Sequence, residues 1–138
     1  MSLRDTVEAE VRAWYDAYVG TFVGLARGER TDTEALLGFY GAPMVVVSDG
    51  DHKVLPTRAA TLEFATGTID ALTRAGYTGS EISHLTVHAV ATGAAFIEGE
   101  FSRHGREGRE FGAGTGAYLA VRTAEGWRFA SFISNTRL

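Results

Sequence analysis

Two histidines with a spacing that could bind a metal ion occur in the segment ISHLTVHAV, at His84 and His88. On a helix, this spacing would place both imidazoles on one face, where they could share a metal ion. The segment alternates like a strand, however, and a strand would hold the two side chains about 13 Å apart, at about 3.3 Å per residue. One ion cannot bind both, so we predict no metal site. We expect the histidines to pair across a sheet with polar neighbours such as Glu98, Glu100 or Ser102.

The turn that follows decides where His88 points. A two-residue turn at Thr92 and Gly93 would put it on the face of Ile97, whereas a three-residue bulged turn would set it opposite Glu98. We prefer the bulged turn, because it joins the apolar residues of both strands on one face. These residues are Leu85, Val87, Ala89, Ile97 and Phe101.

A second group of residues that could do chemistry lies in VSDGDHKV, which contains Asp49, Asp51 and His52. Asp-Gly between apolar runs is a strong signal for a tight hairpin turn, so a turn is the structural interpretation. The functional interpretation is that one of these groups, at the mouth of a pocket, acts as a general acid or base with a pKa moved by partial burial.

The glycines of FGAGTGAY superficially resemble a phosphate-binding loop, at Gly112, Gly114 and Gly116. Phosphate loops join a strand to a helix, whereas this segment is a strand. We therefore interpret the glycines as small residues that let a helix or a ligand approach the sheet closely.

The chain has 138 residues, no cysteine and a net charge of -4. This length fits one domain, which we expect to span residues 1–138. Without cysteine there are no disulfides and no thiolate metal ligands. Acidic and basic residues are interspersed, so no basic surface for nucleic acid is expected. We also expect no bound cofactor.

No apolar run approaches the roughly 20 residues of a membrane span, and the N-terminus lacks the apolar core of a signal peptide. We therefore expect a cytoplasmic protein with no membrane contact. Arginine supplies all but one of the 13 basic residues, and glycine and alanine are abundant. This usage is typical of a GC-rich bacterial genome.

The elements that must position these residues follow from periodicity. Apolar residues three and four apart predict a long helix from Arg4 to about Arg27, and a short helix through Leu36 to Tyr40 that ends at Pro43. MVVVS and KVL predict a hairpin, and Thr57 is the expected N-cap of a third helix that runs to AGYTG. Four strands follow, over residues 82–91, 94–103, 110–122 and 127–136.

This order, ααββαββββ, predicts an α+β fold in which three N-terminal helices pack in the concavity of a curved, mostly antiparallel sheet. Two segments carry a family resemblance. EALLGFYGAPMVVVSDG resembles the second helix and first strand of the nuclear transport factor 2-like (NTF2-like) superfamily, and AYLAVRTAEGWRF resembles its penultimate hairpin. These cone-shaped barrels include SnoaL-like polyketide cyclases and ketosteroid isomerases.

The resemblance places few of the superfamily's catalytic residues in this chain. Ser48 stands where ketosteroid isomerases have their aspartate base, with Asp49 one position away, and Tyr118 falls near their second acid. Tyr15 or Tyr18 could match the tyrosine of their first helix. Steroid isomerisation is therefore disfavoured, although Tyr118 could still donate a hydrogen bond to a ligand.

The resemblance also assigns the two faces of the last hairpin. It implies that Tyr118, Ala120, Ala130, Phe132 and Ser134 are concave. It implies that Leu119, Val121, Phe129 and Ile133 are convex, where an exposed apolar surface favours a homodimer through the sheet. The expected pocket residues are Trp14, Tyr18, Phe39, Ser48, Phe101, Tyr118, Phe132 and Ser134.

Three functions stay open on this basis. The first is binding of a small apolar or amphipathic molecule, oriented by Tyr118 and Ser134. The second is acid/base catalysis, as an isomerase, cyclase or dehydratase, with Tyr118 as donor and Asp49 or His88 as base. The third is a dimeric structural adaptor whose cone is filled by side chains.

Overall fold

The computed structural model describes residues 2–136 and has the predicted order of elements. Two α-helices, α1 (Leu3–Ala26) and α2 (Arg58–Arg74), pack on one sheet, with 3-10 helices at Thr33–Gly38 and Arg106–Gly108. The strands are β1 (Tyr40–Ser48), β2 (Asp51–Leu55), β3 (Gly79–Ala91), β4 (Ala94–His104), β5 (Glu110–Thr123) and β6 (Gly126–Thr136). The predicted α+β fold is confirmed.

The six strands form one curved, unclosed sheet in the order β2-β1-β6-β5-β4-β3. Neighbours are antiparallel except β1 and β6, which run parallel. The sheet is therefore mixed, and the last strand of the chain lies in its middle. None of the helices within residues 2–136 combines the length and apolar character needed to cross a membrane.

The long helix α1 is held at its start by a capping box. The Ser2 hydroxyl accepts a hydrogen bond from the Asp5 N–H, and the Asp5 side chain accepts one from the Ser2 N–H, which satisfies two backbone donors that the helix leaves free. The predicted apolar stripe is buried against the sheet. Its buried members are Val7, Val11, Tyr15, Tyr18, Leu25 and Ala26.

The predicted short helix is a 3-10 helix that ends at Gly38, and β1 already begins at Tyr40. The prediction that Pro43 ends a helix is therefore wrong, since Pro43 lies inside β1. The backbone explains the early change: the Phe129 N–H on β6 donates to the Phe39 carbonyl over 2.7 Å, so the chain joins the sheet directly after the helix.

The cap of α2 is as predicted, because the Thr57 hydroxyl accepts a hydrogen bond from the Ala60 N–H. The helix buries Thr61, Ala65, Ile69 and Leu72. The Thr61 hydroxyl donates to the Gly41 carbonyl over 3.1 Å and so ties α2 to β1.

The register of β3 and β4 differs from the predicted one. The turn has two residues, with Ala91 paired to Ala94, and His88 pairs with Phe96 rather than lying opposite Glu98. The predicted apolar face is nevertheless correct, and Val87 pairs with Ile97. The extra residue that restores this face lies before the turn, at Val90, as a bulge between Ala89 and Ala91.

A bulge also overturns one predicted face of the last hairpin. Ala120 pairs with Phe129 and Leu119 pairs with Ser131, so Ala130 is an extra residue on β6. The alternation of side chains therefore shifts at this point, and Phe129, predicted to be convex, is fully buried inside.

Phe129 is the centre of the core. Its ring centroid lies 4.6 Å from that of Trp14, 4.9 Å from Tyr18 and 4.7 Å from Tyr118. The remaining residues predicted to be convex, Leu119, Val121 and Ile133, are partly exposed.

We expect Phe129→Ala to lower the free energy of unfolding by about 3–5 kcal/mol, because it leaves a cavity where α1 meets the sheet. Urea unfolding followed by circular dichroism measures this loss. Phe111→Ala is the matched control, since Phe111 is 41% exposed and should lose about 1 kcal/mol or less. Equal losses in the two variants would contradict the central place of Phe129.

Candidate ligand cavity

A cavity of about 60 Å³ lies between α1 and the inner face of β3 to β6. A cavity needs roughly 10–15 Å³ to hold one water molecule, which has a single non-hydrogen atom. This cavity therefore has room for about four or five non-hydrogen atoms. Its lining is mostly apolar and aromatic. The lining residues are Tyr15, Tyr18, Val19, Phe22, Val23, Ser80, Ile82, Gly99, Glu100, Phe101, Arg103, Gly116, Tyr118 and Phe132.

Glycines on β5 make this space available. A Cβ at Gly114 would clash with the Asn135 carbonyl oxygen of β6 and would also lie 3.2 Å from the Phe101 ring, so Gly114 chiefly allows the close approach of the β6 backbone. A Cβ at Gly116 would lie 3.6 Å from both the Phe101 ring and the Tyr118 hydroxyl oxygen. Gly116 therefore gives room to side chains of the cavity wall, whereas the sequence analysis predicted that a helix or a ligand would use this space.

Four tyrosines form two hydroxyl pairs beside the cavity. The Tyr18 and Tyr40 hydroxyl oxygens are 3.0 Å apart, and Tyr15 donates to the Tyr118 hydroxyl over 3.5 Å. Tyr18 also packs edge-on against Tyr118, with ring centroids 6.3 Å apart. The two pairs thus form one aromatic cluster with polar atoms inside it.

Burial keeps these hydroxyls protonated. Burial raises the pKa of Tyr40 to about 12 and that of Tyr118 to about 12. The pKa of Tyr15 and that of Tyr18 are raised well above the usual value, also chiefly by burial and further by neighbouring tyrosines. At neutral pH the cluster therefore offers hydrogen-bond donors and acceptors, and it has no group that can take a proton.

Arg103 brings a positive charge to the cavity wall. Its guanidinium carbon lies 5.0 Å from the Phe101 ring centroid and 6.0 Å from that of Phe22, within cation–π range. Within residues 2–136, no carboxylate lies within 4.0 Å of this guanidinium, and no side-chain hydrogen bond reaches it. The charge also acts on the cluster, because it lowers the pKa of Tyr40 and Tyr118 against the larger effect of burial.

The polar groups near Arg103 at the cavity include a hydroxyl pair and a carboxylate on the opposite face of the strand. Ser80 pairs with Arg103 across β3 and β4, and its hydroxyl lies 2.6 Å from that of Tyr77. Glu100 lies on the opposite face of β4 from Arg103, since side chains alternate along a strand, and its carboxylate is 3.5 Å from the His84 imidazole. Ser80 and Arg103 therefore form the polar end of the cavity.

The predicted pocket residues separate into three groups. Tyr18, Phe101, Tyr118 and Phe132 line the cavity. Trp14 and Phe39 pack behind it, where their ring centroids are 5.8 Å apart. Ser48 and Ser134 pair with each other at the end of β1 and β6, outside the cavity lining.

The candidate bases lie away from the cavity. Asp49 is in the turn after β1, with a φ of 45°, and its N–H donates to the Asn135 side chain over 2.7 Å. His88 is exposed, with its Nδ1 3.4 Å from an Arg4 nitrogen. Asp51 and His52 are exposed on β2, as expected of a hairpin turn, and His84 is exposed on β3. Within residues 2–136, no three His, Cys, Asp or Glu side chains gather as metal ligands.

Sequence reasoning missed Arg103, Ser80 and Ile82. Arg103 was part of a run that was predicted as the end of a strand next to a solvated loop. The signal that could have found it is its place two residues after Phe101 on the same face, since residues at this spacing share a side of a strand.

The raised tyrosine pKa values predict a loss of stability at high pH. Between pH 10 and pH 12 the unfolded chain ionises tyrosines that the folded protein keeps protonated, so the folded state binds more protons. The contribution of each of Tyr40 and Tyr118, about 2–3 kcal/mol, is fully present below pH 10 and lost as pH rises to 12.

Urea unfolding from pH 8 to pH 11.5 tests this effect. We expect Tyr118→Phe to lose less stability over this range than the unchanged protein, since it removes one of the ionising groups. Identical pH dependence of the two proteins would show that the Tyr118 hydroxyl does not titrate in this way.

Comparison with solved structures gives the same fold at low sequence identity. An NTF2-like protein with a cystatin-like fold from Novosphingobium aromaticivorans is 20% identical, with a TM-score of 0.67, and the alignment covers 93% of this chain and 86% of that one. An NTF2-like family protein from Streptomyces avermitilis, whose name proposes a dehydratase, is 17% identical, with a TM-score of 0.66 and coverage of 97% and 99%. An NTF2-like protein of unknown function from Pseudomonas putida KT2440 is 16% identical, with a TM-score of 0.69 and coverage of 95% and 87%. A comparison with curated proteins gave no match.

At these identities the solved structures show the fold alone. A family model described as NTF2-like protein (DUF6841) matches residues 8–137, nearly the whole chain. The resemblance inferred from the two sequence segments is therefore confirmed, and the chain belongs to this NTF2-like family.

Proposed function

We propose that this protein binds a small amphipathic molecule in the cavity between α1 and the sheet. The observation that carries the proposal is the combination of an unfilled, mostly apolar cavity with protonated tyrosine hydroxyls and one cationic side chain at its wall. Ligand sites of proteins have this composition, in which apolar walls supply affinity and a few polar groups fix orientation.

The cavity volume limits the ligand. About 60 Å³ is far below the roughly 300–1,000 Å³ of pockets for drug-sized molecules. A steroid or a polycyclic polyketide would need the wall to move, whereas a short aliphatic tail fits the cavity as it stands. The candidate ligand is therefore small, and any larger part of it extends outside.

Acid/base catalysis is the alternative hypothesis. Its support is the name of the Streptomyces avermitilis relative, which proposes a dehydratase. Against it, Asp49 and His88, the candidate bases, do not line the cavity. Binding without turnover accounts for the same site with fewer requirements, because it needs no proton acceptor.

A substitution that reduces the cavity volume, Gly116→Ala, tests the binding proposal. Gly116→Ala would place a methyl group 3.6 Å from the Phe101 ring, at ordinary contact, so the fold should tolerate it while the cavity shrinks. We expect unchanged or slightly higher stability, and severalfold weaker binding of a neutral probe, 3-methylbutanamide, measured by amide chemical shifts in NMR titrations.

Gly20→Ala is the matched control, because Gly20 is exposed on α1 with no atom within 4 Å of an added Cβ. It should stabilise the helix by about 0.5–1 kcal/mol and leave the affinity unchanged. If neither this amide nor the corresponding acid, 3-methylbutanoate, shifts a cavity resonance in the unchanged protein, the binding proposal fails and the adaptor hypothesis takes its place.

A homodimer through the convex face belongs to the same proposal, together with a cytoplasmic location and one domain over residues 1–138. Its support is a partly exposed apolar row on the outer face of the sheet, which a second copy would cover. The row consists of Phe96, Leu119, Val121 and Ile133, and Phe96 is 53% exposed. Phe129, once assigned to this face from the sequence, is excluded from it by its burial.

Light scattering on the purified protein tests the dimer. We expect Val121→Glu to be monomeric, because the interface would have to bury an unpaired carboxylate. Ala17→Glu, on the exposed face of α1, is the control and should stay dimeric. A Val121→Glu protein of unchanged mass would refute the assignment of this face.

A further inference from the structure

The cavity and a neighbouring groove meet at one residue. The groove lies between β2 and α2, has a volume of about 760 Å³, and is lined by residues such as Lys53, Glu63 and Phe64. Within residues 2–136, Arg103 alone borders both the groove and the cavity. A molecule that spans the two spaces would have to pass its guanidinium.

Within residues 2–136, the charge of Arg103 has no carboxylate partner. Most partly buried arginines are paired with a carboxylate, since taking a charge out of water without a partner is unfavourable. Arg103 instead lies within cation–π range of the Phe22 and Phe101 rings, with no carboxylate within 4.0 Å in the described part of the chain. The two rings hold the guanidinium in place, and its N–H donors stay available.

These donors match an anionic ligand group that presents two oxygens, such as a carboxylate. A guanidinium presents parallel N–H groups that bind both oxygens of a carboxylate, and such charged hydrogen bonds are stronger than neutral ones. The Ser80 hydroxyl, on the same face as Arg103 and held by Tyr77, can supply a further hydrogen bond. Apolar walls begin directly beside this polar end, at Ile82 and Phe101.

We propose that Arg103 binds the carboxylate of a short-chain aliphatic acid whose tail occupies the cavity. The inference rests on the proposed function, and it names the ligand class of that site. Four or five non-hydrogen atoms fit the cavity volume, which corresponds to a short branched tail beyond the carboxylate. The protonated hydroxyls of the tyrosine cluster repel no anion, and Glu100 faces away from the site.

The test compares an acid with its neutral counterpart. Binding of 3-methylbutanoate and of 3-methylbutanamide is measured by NMR titration at pH 7 for the unchanged protein, Arg103→Gln, Arg103→Lys and the exposed control Arg12→Gln. We expect the unchanged protein to prefer the acid about tenfold or more. Arg103→Gln should lose this preference while its affinity for the amide stays within about twofold.

The conservative variant separates charge from geometry. Arg103→Lys keeps the charge but loses the paired donors. Its affinity for the acid should therefore lie between that of the unchanged protein and that of Arg103→Gln. Arg12→Gln should bind both probes like the unchanged protein. We also expect Arg103→Gln to melt at the same temperature as the unchanged protein or slightly higher, because an unpaired charge has been removed.

Salt provides a second measurement that needs no variant. Raising the NaCl concentration from 20 mM to 500 mM should weaken binding of the acid and leave that of the amide unchanged, since only the acid depends on a charge pair. This measurement stands even if Arg103→Gln does not fold.

The outcomes separate the two proposals. If the amide binds in the cavity but the acid gains nothing from Arg103, or is insensitive to salt, the acid-binding inference is wrong and the proposed function stands. If neither probe binds the unchanged protein, both are wrong.

Discussion

The packing of one ring, that of Phe129, is the contact on which the rest of the structure depends. β6 delivers it to the interior because Ala130 is an extra residue in the pairing with β5. The ring then contacts Trp14 and Tyr18 of α1 on one side and Tyr118 of the sheet on the other. The helix is thereby held at a fixed height above the sheet, and the space that remains beside this contact is the cavity.

The same contact explains why the cavity is not filled by the tyrosines that surround it. Tyr15, Tyr18 and Tyr118 are each in ring contact with Phe129, which fixes their orientation. Their hydroxyls then satisfy one another, as in the pair of Tyr15 and Tyr118, so no buried hydroxyl of the cluster is left without a partner. A rigid wall of this kind keeps its shape without a ligand, which lowers the entropy lost on binding.

Periodicity was sufficient to predict the helices, the strands and their order, because each is a local property of the chain. The long stripe of α1 and the Thr57 cap of α2 are examples. The positions of individual bulges, such as those at Val90 and Ala130, could not be predicted, since each depends on how two strands pair and leaves no local signal. The extra residue Ala130 moved Phe129 from the outer face to the core, and the extra residue Val90 changed the partner of His88.

In the candidate site, too, some residues could be predicted from the sequence and others only from the structure. Tyr118 and Phe132 were predicted as pocket residues because the family resemblance assigns the faces of the last hairpin. Tyr18 was predicted from the apolar spacing of α1, and Phe101 from the apolar face shared by β3 and β4. Arg103 was missed because a charged residue near a loop is normally solvated, and only the structure shows its guanidinium within cation–π range of the Phe22 and Phe101 rings. Asp49 and His88 were plausible bases by residue type, but the structure places both outside the cavity lining. Residue type alone could not predict this, because a base must also lie within reach of the ligand.

The parallel pairing of β1 with β6 has a consequence for how the protein folds. β1 ends at Ser48 and β6 begins at Gly126, so more than half of the chain lies between the two strands. Their contact therefore closes a very long loop. Folding rates fall as contacts become less local, and during synthesis β6 leaves the ribosome after every other strand described. Until it arrives, the aromatic side of α1 has no Phe129 to cover it. We therefore expect this helix face to be the main surface that chaperones meet on the nascent chain.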